Sequence, residues 1–389
     1  SELGRIRDKV NNGKKITGKK SIVAVAGCVA QSDGKEIINR APWVDMVFGP
    51  QNYHNLSKFI EKSCEKKNIK IIDTNFPVEV KFDFLPEEFY ERGISSFVTI
   101  QEGCDKFCNF CVVPYTRGVE YFRTKDEIFF ESEKLVKNGS KEIILLGQNV
   151  NAWKGKNNSG KEIGLGYLIN ELSKIVGLER IRYTTSHPLD MDDELMETHS
   201  MNPILMPYLH LPIQSGSDKI LKLMNRKHTA SDYKRIIDKM RTHCPDIALS
   251  SDFIVGYPGE TDTDFEETIS LIKDVKFSSS FSFKYSVRPG TPAARQKNQI
   301  DENVKSERLF YLQSLLNYQH GDYNKNFIGK TLEVLVSKKV KNQMTGKSSY
   351  FQTVYFEGDE KLNGKLVNLE IIDSSKNSLT GKFLNIKES

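Results

Sequence analysis

Features that mark membrane and secreted proteins are missing from this sequence of 389 residues. No apolar run approaches the roughly 20 residues that a membrane-spanning helix needs. The N-terminal segment lacks the basic and then apolar pattern of a secretion signal. Cysteine is scarce, with six residues, and tryptophan occurs twice. These absences predict a soluble cytoplasmic protein and argue against a small disulfide-stabilised secreted domain.

Length and charge bound the organisation of the chain and its partners. A chain of 389 residues is long enough for two or three domains with substantial cores. The formal net charge of +5 is a mild excess, which is compatible with a polyanionic partner. The first 20 residues contain seven basic and two acidic side chains. This segment is either a contact surface or a solvated helix end followed by a loop.

Half of the cysteines lie within eight consecutive positions. Cys104, Cys108 and Cys111 are separated by three residues and then by two. Thiolates are the usual ligands of iron–sulfur clusters, and most clusters use four, so three would leave one iron of a four-iron cluster open. Structural zinc is closed by four Cys or His ligands, whereas the nearest histidines, His54 and His187, are distant in sequence. The spacing favours an iron–sulfur cluster, with zinc and inert thiols as alternatives.

The residues around these cysteines resemble a known family. Cys-x3-Cys-x2-Cys after a predicted strand is similar to the signature of radical S-adenosylmethionine (SAM) enzymes. The next segment, Val112–Gly118 (VVPYTRG), resembles the methylthiotransferase family and its tRNA-modifying, MiaB-type branch. Other similar segments are Leu209–Gly216, Asp252–Glu260 and Tyr285–Thr291. The resemblance implies that the three cysteines hold a [4Fe-4S] cluster and that SAM binds its open iron.

Strand-like and helix-like segments alternate from Phe97 onward. The predicted strands are Phe97–Gln101, Ile143–Gln148, Ile181–Ser186, Tyr208–Pro212, Ile247–Val255 and Ser280–Ser286. Predicted helices between them cover Asp126–Lys137, Leu168–Val176, Ile220–Met224, Tyr233–Met240 and Phe265–Val275. This alternation predicts an α/β fold with a parallel sheet inside a layer of helices. A partial (β/α)6 barrel fits the strand count and the family, with its chemistry on loops at the carboxyl ends of the strands.

Five residues near these strand ends are predicted cofactor contacts: Phe110, Gly147, Gln148, Gln214 and Asp252. The resemblance implies that Phe110 borders the adenine of SAM and that Gly147 and Gln148 contact its amine. Asp252 is a candidate for a ribose or substrate contact. Two alternatives stay open, because an aromatic such as Phe110 often simply buries area and a buried Asp252 can tie a barrel together.

Other polar residues are weaker candidates. His187 is either a proton-transfer group or a structural histidine. Arg117, Arg123 and Arg226 have the planar fork that binds phosphate or the SAM carboxylate, yet each is equally compatible with a salt bridge. Cys244 is predicted to pack at a helix end.

Residues 1–75 resemble part of the family's N-terminal domain. A predicted strand, Ser21–Ala26, leads to Cys28, which on its residues alone is either a small core side chain or a ligand. In the family, three cysteines of this domain bind a second [4Fe-4S] cluster, and Cys28 matches the third. The first two have no counterpart, so the chain is expected to start inside this domain and, as written, to cleave SAM without donating sulfur. Cys64 is expected to be inert, and residues 66 to 93 to be a linker.

The long helix predicted at Asp301–Tyr323 leads to a tail, residues 321–389, whose short strands predict a small β-barrel. It resembles a TRAM domain, and the core domain is predicted at 90–320. The tail has 11 basic and 8 acidic residues. Its lysines suit RNA phosphates and its aromatics suit unpaired bases; a solvated loop beside a barrel core is the alternative. The residues concerned are Lys338, Lys339, Lys341, Lys347, Tyr350, Phe351 and Tyr355.

The resemblance implies methylthiolation of tRNA at C2 of a prenylated adenosine beside the anticodon. In the family, the cluster reduces SAM to methionine and a 5′-deoxyadenosyl radical, and the second cluster supplies sulfur. A monomer is expected, with an electron donor such as flavodoxin or ferredoxin and with tRNA as its partner. Two other hypotheses stay open: a sister enzyme acting on threonylcarbamoyl-adenosine or on a ribosomal protein, and a non-catalytic RNA-binding protein with a structural metal.

Overall fold

A computed structural model of the chain describes residues 2–17, 21–65, 69–75 and 93–387. They form two compact units. The first contains the described residues up to 75 together with Gly103–Asp105 and Cys111–Val119, and the second contains residues 93–102, Lys106–Phe110 and Glu120 onward. The predicted linker at 66 to 93 lies largely outside the described residues. Where it is described, it contains a strand at Ile71–Asp73, so this part of the prediction is wrong.

The first unit is built on a parallel sheet of three short strands. Its order is β1 (Ala24–Ala26), β2 (Met46–Phe48) and β3 (Ile71–Asp73). The helices of this unit are α1 (Glu2–Thr17), α2 (Cys28–Arg40), α3 (Leu56–Glu65) and α4 (Val113–Arg117). Parallel strands need crossover connections, and α2 provides the one between β1 and β2. Gly27, at φ 107, makes the turn between β1 and α2, which places Cys28 in the first position of the helix.

Six parallel strands form the centre of the second unit. They are arranged as two sheets, β4–β7–β10 and β11–β12–β13, with a single bridge from Ile181 to Leu205 beside β10. Their bounds are β4 (Ser95–Thr99), β7 (Glu142–Leu146), β10 (Arg180–Tyr183), β11 (Tyr208–His210), β12 (Ala248–Val255) and β13 (Ser279–Lys284). Two small hairpins pair β5 (Gln101–Glu102) with β6 (Tyr121–Phe122) and β8 (Gly155–Lys156) with β9 (Glu162–Ile163). The predicted partial (β/α)6 barrel is confirmed.

Helices follow these strands along the chain. They are α5 (Lys125–Lys137), α6 (Leu165–Leu172), α7 (Asp193–Met201), α8 (Asp218–Leu223), α9 (Ala230–His243), α10 (Asp262–Val275) and α11 (Glu302–Lys325). Three begin at a threonine capping box, at Thr124, Thr229 and Thr261. These caps lie a few residues before the predicted starts at Asp126, Tyr233 and Phe265. The helix α7 was missed because its short sequence, DELMETHSM, has no clear apolar stripe. Among the helices that the structure describes, none is long and apolar enough to cross a membrane.

The strand register separates two faces of the barrel wall. Val98, Leu145 and Phe253 belong to the apolar core that includes helix residues. The alternate positions point the other way, and they include the charged residues Glu142, Arg180, Arg182 and Asp252. In the strand register, Arg180 of β10 lies opposite Glu142 of β7, and Asp252 of β12 lies opposite Phe281 of β13. The inner face of the barrel therefore carries ionisable groups.

The tail is a closed five-stranded barrel, as predicted. Its order is β14–β15–β16–β18–β17, with β14 (Thr331–Val340), β15 (Gln343–Ser348), β16 (Thr353–Phe356), β17 (Leu366–Ser374) and β18 (Ser378–Ile386). Strand β15 has a mostly polar sequence, QMTGKS, which carries no clear strand pattern. A core around Val334, Val354 and Leu369 fills the barrel.

One aromatic residue of the tail makes a packing contact that was not predicted. The ring of Phe351, which was expected to stack on RNA bases, lies 5.1 Å from that of Tyr208 at the start of β11. The guanidinium of Arg182 and the ammonium of Lys347 each lie 4.8 Å from its centroid. Burial lowers the pKa of Lys347. Phe351 and Lys347 therefore join the tail to the amino-terminal end of the barrel.

Candidate functional site

A cavity of about 760 Å³ lies at the carboxyl ends of β12 and β13. Three of the five predicted cofactor contacts line it: Phe110, Gln214 and Asp252. Gly147 and Gln148 follow a different strand, β7, and are not among the lining residues. The apolar part of the lining includes Ile254 and Phe283. The cavity thus combines a few polar groups with apolar walls, as small-molecule sites generally do.

The segment after α8 holds the middle of the cysteine loop. The backbone N–H of Asn109 donates to the Met224 carbonyl at 2.9 Å, and its side-chain amide donates to the Leu223 carbonyl at 2.7 Å. In return, the amide of Asn225 donates to the Phe107 carbonyl at 2.9 Å. Asn225 and Phe107 have positive φ, 60° and 49°, a conformation that costs energy for residues other than glycine. These bonds fix the backbone on both sides of Cys108.

Cys108 is buried and contacts a buried arginine. Nη1 of Arg226 lies 3.5 Å from the Cys108 sulfur, and Nη2 donates to the Pro212 carbonyl at 2.5 Å. Arg226 is 5% exposed, and no carboxylate of the described residues lies within ion-pair distance of it. Arg123, its equal in the sequence prediction, pairs instead with Glu131 at 2.5 Å. The structure therefore separates these two candidates and leaves Arg226 at the cysteine loop.

Two histidines lie close to Arg226. The rings of His187 and His228 are 5.8 Å apart and edge to face. Burial, and then the charge of Arg226, lowers the pKa of His187 well below its usual range and that of His228 to about 4, so both are neutral at pH 7. The Leu189 N–H donates to Nδ1 of His187, which places the ring proton on Nε2, a buried atom with no hydrogen-bond partner. This orphaned donor is available to an acceptor that binds there.

The first unit holds the two ends of the cysteine loop and Cys28. The N–H of Cys104 donates to the Gly118 carbonyl at 3.3 Å, and the N–H of Val113 donates to the Cys111 sulfur at 3.5 Å. Nε of Arg117 donates to the Cys28 sulfur at 3.3 Å. Two residues predicted separately, Arg117 and Cys28, are thus in contact.

Gly147 and Gln148 are held by a residue that the sequence did not single out. The side-chain oxygen of Gln101, in β5, accepts the backbone N–H groups of Gln148 and Asn149 at 2.8 and 2.9 Å. A Cβ on Gly147 would lie 2.6 Å from that same oxygen. Glycine is therefore required here by the approach of Gln101. A glutamine near a strand end has no distinctive pattern, which is why it was missed.

Gln214 and Asp252 are tied to one another through the backbone. Gln214 has φ 81 and donates its N–H to the Asp252 carbonyl, while the Ile254 N–H donates to the Gln214 carbonyl. A left-handed non-glycine residue held in this way is typical of functional sites. The Asp252 carboxylate lies 3.7 Å from Nε2 of His210, itself hydrogen-bonded to Ser250. The structure thus supplies a partner for Asp252 and also places it at the cavity.

A second missed residue reaches the cavity from α11. Lys305 is 7% exposed, and its ammonium lies 5.7 Å from the ring centroid of Tyr285 and 3.6 Å from Glu302. All three line the cavity. Lys305 was not predicted because active-site residues of such barrels are expected on the loops at the strand ends, and Lys305 lies on α11, the helix that follows the barrel.

The residues around the cysteine loop fit an iron–sulfur cluster. Such a cluster is anionic when thiolates bind it, and hydrogen bonds to sulfur help to set its properties. The site offers a buried cation without a carboxylate partner, Arg226, and an orphaned N–H of His187. Within the described residues, no three Cys, His, Asp or Glu side chains converge on a single metal ion. A four-iron cluster does not need such convergence, because each thiolate binds a different iron.

Comparison with known proteins gives the class and the family. Residues 98–272 match the model of the radical SAM superfamily, and residues 325–384 match the TRAM domain. These matches define a radical SAM protein with a TRAM domain. The tRNA-2-methylthio-N(6)-dimethylallyladenosine synthase of Rickettsia felis is 50% identical over 99% of this chain and 87% of its own length. That of Rickettsia bellii is 51% identical over 98% and 86%. The chain belongs to this family of synthases.

The solved structures that resemble this chain are more distant. The cobalamin-dependent SAM radical enzyme OxsB, with aqua-cobalamin and SAM bound, matches 80% of this chain and 45% of its own. The TM-score is 0.47 at 12% sequence identity.

Proposed function

We propose that this chain is a tRNA methylthiotransferase that adds a methylthio group to C2 of N6-dimethylallyladenosine beside the anticodon. The observation that carries the proposal is the cysteine loop at the carboxyl end of the first barrel strand, in a chain half identical to synthases of that name along almost its whole length. The proposed cluster ligands are Cys104, Cys108 and Cys111. Phe110, Gly147, Gln148, Gln214 and Asp252 are the proposed SAM contacts.

The side chains of the site position and shield the reactants. When bound, the cluster and SAM supply the one-electron chemistry that an unactivated carbon–hydrogen bond requires. Gln101 fixes the loop that carries Gly147 and Gln148. Gln214 and Asp252 present polar groups from one end of the cavity, and Lys305 presents a cation beside Tyr285. The exposed rim residues Phe283 and Val287 offer apolar surface that a ligand would cover.

The proposal includes a second [4Fe-4S] cluster with Cys28 as one ligand. What supports it is the position of Cys28 at the first turn of α2, where backbone N–H groups favour an anionic sulfur, and its hydrogen bond from Arg117. A cytoplasmic location and an electron donor such as flavodoxin or ferredoxin complete the proposal, since these clusters need reducing conditions.

The test is a defined reaction. The anaerobically reconstituted chain is incubated with SAM, a strong reductant and tRNA, and both 5′-deoxyadenosine and 2-methylthio nucleosides are measured by mass spectrometry. We expect 5′-deoxyadenosine from the chain as written. With all ligands of the second cluster present, we expect methylthio product from tRNA carrying N6-dimethylallyladenosine and none from tRNA carrying threonylcarbamoyl-adenosine. Conversion of the second substrate alone would replace the proposal with the sister activity.

Matched cysteine variants give the control. Cys108→Ala should abolish both 5′-deoxyadenosine formation and methylthiolation. Cys244→Ala should leave both unchanged, because Cys244 lies at the end of α9, packed against the barrel core. In a protein that carries all ligands of the second cluster, a Cys28→Ala variant that forms 5′-deoxyadenosine and no methylthio product would support the second cluster. Full methylthiolation by Cys28→Ala would refute it.

A further inference from the structure

Arg226 differs from the other deeply buried arginines of the second unit in how its charge is balanced. Burying an unpaired ion costs several kcal/mol, so a buried guanidinium needs an anion. Arg123, Arg180, Arg182 and Arg308 are all at most 8% exposed, and each lies within 2.9 Å of a glutamate oxygen. Arg226 is as buried as these, and its contacts are the Pro212 carbonyl and the sulfur of Cys108.

Cys108 is therefore the position at which an anion would balance the charge of Arg226. A thiol is neutral and offers little compensation, whereas a thiolate bound to iron is part of an anionic group. The other charged groups near the two histidines have partners of their own: Lys106 pairs with Asp190 at 2.7 Å, Asp232 pairs with Arg235 at 2.8 Å, and Asp218 accepts the Ala230 N–H. The positive charge of Arg226 is thus balanced only when Cys108 binds an anionic group.

We propose that Arg226 is the counter-ion of the SAM-binding cluster and sets its reduction potential through the sulfur of Cys108. The inference rests on the proposed function of the cysteine loop. Reduction adds an electron to a group that is already anionic, so a nearby cation stabilises the reduced form more than the oxidised form. Arg226 is a positioning residue: it acts on the cluster through the ligand that it contacts.

The bond to Pro212 gives the arginine a fixed place. Nη2 is held by the carbonyl that follows β11, and the preceding residue, Asn225, is bonded to the cysteine loop. The guanidinium is thus attached to two segments at once, which fixes Nη1 against the sulfur. Lysine would keep the charge but lacks the two-pronged donor that spans these two acceptors.

The experiment is a redox titration of the reconstituted protein without SAM, followed by electron paramagnetic resonance of the reduced cluster. In Arg226→Met, we expect the ratio of reduced to oxidised cluster at a fixed potential to fall at least tenfold, which is about 59 mV for one electron. Arg226→Lys should give a smaller shift in the same direction. Arg235→Met, which removes an exposed charge on α9, should titrate like the unmodified protein.

Iron content separates the two proposals. If the unmodified chain binds no iron, the proposed function fails and Arg226 has no cluster to act on. If the unmodified chain and Arg226→Met both bind iron and titrate at the same potential, the role of Arg226 is overturned and the function stands. Should Arg226→Met bind no iron, the neutral but hydrogen-bonding Arg226→Gln decides: an unshifted potential in that variant refutes the proposal, and a lowered one supports it.

Discussion

The two ends of the barrel in the second unit bury their charges in different ways. At the amino-terminal end, Nε of Arg182 bonds Glu142 at 2.7 Å, and its two Nη atoms donate to the carbonyls of Ser348 and Ser349 in the tail. At the carboxyl end, Arg226 has a carbonyl and a cysteine sulfur. Both ends are buried, so exposure does not explain the difference.

The comparison separates a stabilising region from a binding region. The amino-terminal end balances its arginine charges without a ligand, because Arg180 pairs with Glu333 and Arg182 pairs with Glu142. The carboxyl end retains an uncompensated guanidinium, an orphaned imidazole N–H and residues in left-handed conformations: Phe107, Thr185, Gln214, Asn225 and Lys227. Barrel enzymes generally place stability at one end and chemistry at the other, and here the state of the buried polar groups indicates which end is which.

The largest expected effect comes from breaking the charge balance of the amino-terminal end. Arg182→Met leaves Glu142, which is 1% exposed, as a buried uncompensated charge, and should cost about 3–5 kcal/mol in the free energy of unfolding. Urea unfolding followed by circular dichroism measures it. Arg235→Met is the exposed control and should change stability by less than about 1 kcal/mol.

A double variant tests the cause. Arg182→Met combined with Glu142→Gln removes both charges, so it should recover part of the lost stability. A double variant that is less stable than Arg182→Met alone would show that the tail contacts of Arg182, and not the abandoned carboxylate, carry the effect.

Acidic pH gives an effect of intermediate size. The pKa of His199, on α7, and that of His228, beside Arg226, are each lowered to about 4, mainly by burial. Both rings are neutral in the folded protein and protonate in the unfolded chain below its pKa of about 6.5. Unfolding therefore takes up protons, and stability falls as pH drops from 6.5 towards 4. At pH 5 each histidine should cost on the order of 2 kcal/mol relative to pH 7.

Arg226 makes this pH effect differ between the two histidines. Its charge contributes to the lowered pKa of His228, whereas burial alone lowers that of His199. Arg226→Met should therefore raise the pKa of His228 and leave that of His199 unchanged, as measured by NMR titration of the two rings. Equal shifts at both rings would mean that the variant loosens the whole barrel.

The sequence predicted the features that depend on neighbouring residues, and it did not predict those that depend on contacts between distant segments. The alternating strands and helices, the closed tail barrel and the cysteine loop were predictable because they depend on local periodicity and on ligand spacing. The packing of Phe351 against Tyr208 was not predicted, because the two residues are some 140 positions apart in the sequence. For the same reason, the sequence could not predict the roles of Gln101 and Lys305 or the unbalanced charge of Arg226. Each of these depends on a contact with a distant segment.

The smallest expected effect concerns strain at the binding end. Gln214→Gly removes the steric cost of a left-handed residue at φ 81, but glycine also raises the conformational entropy of the unfolded chain. The net effect should be to stabilise the fold by about 0.5–1 kcal/mol. It should also weaken SAM binding to the reconstituted protein, because the side chain lines the cavity. Urea unfolding and equilibrium binding measure the two effects.

Lys276→Gly is the matched control, because Lys276 has φ 58 at the end of α10 and does not line this cavity. It should give a similar gain in stability with SAM affinity unchanged. If both variants gain stability and neither loses affinity, left-handed residues at the carboxyl end are a feature of the loops alone. If only Gln214→Gly loses affinity, the strained backbone at Gln214 lowers the stability of the fold but orients a side chain that binds SAM.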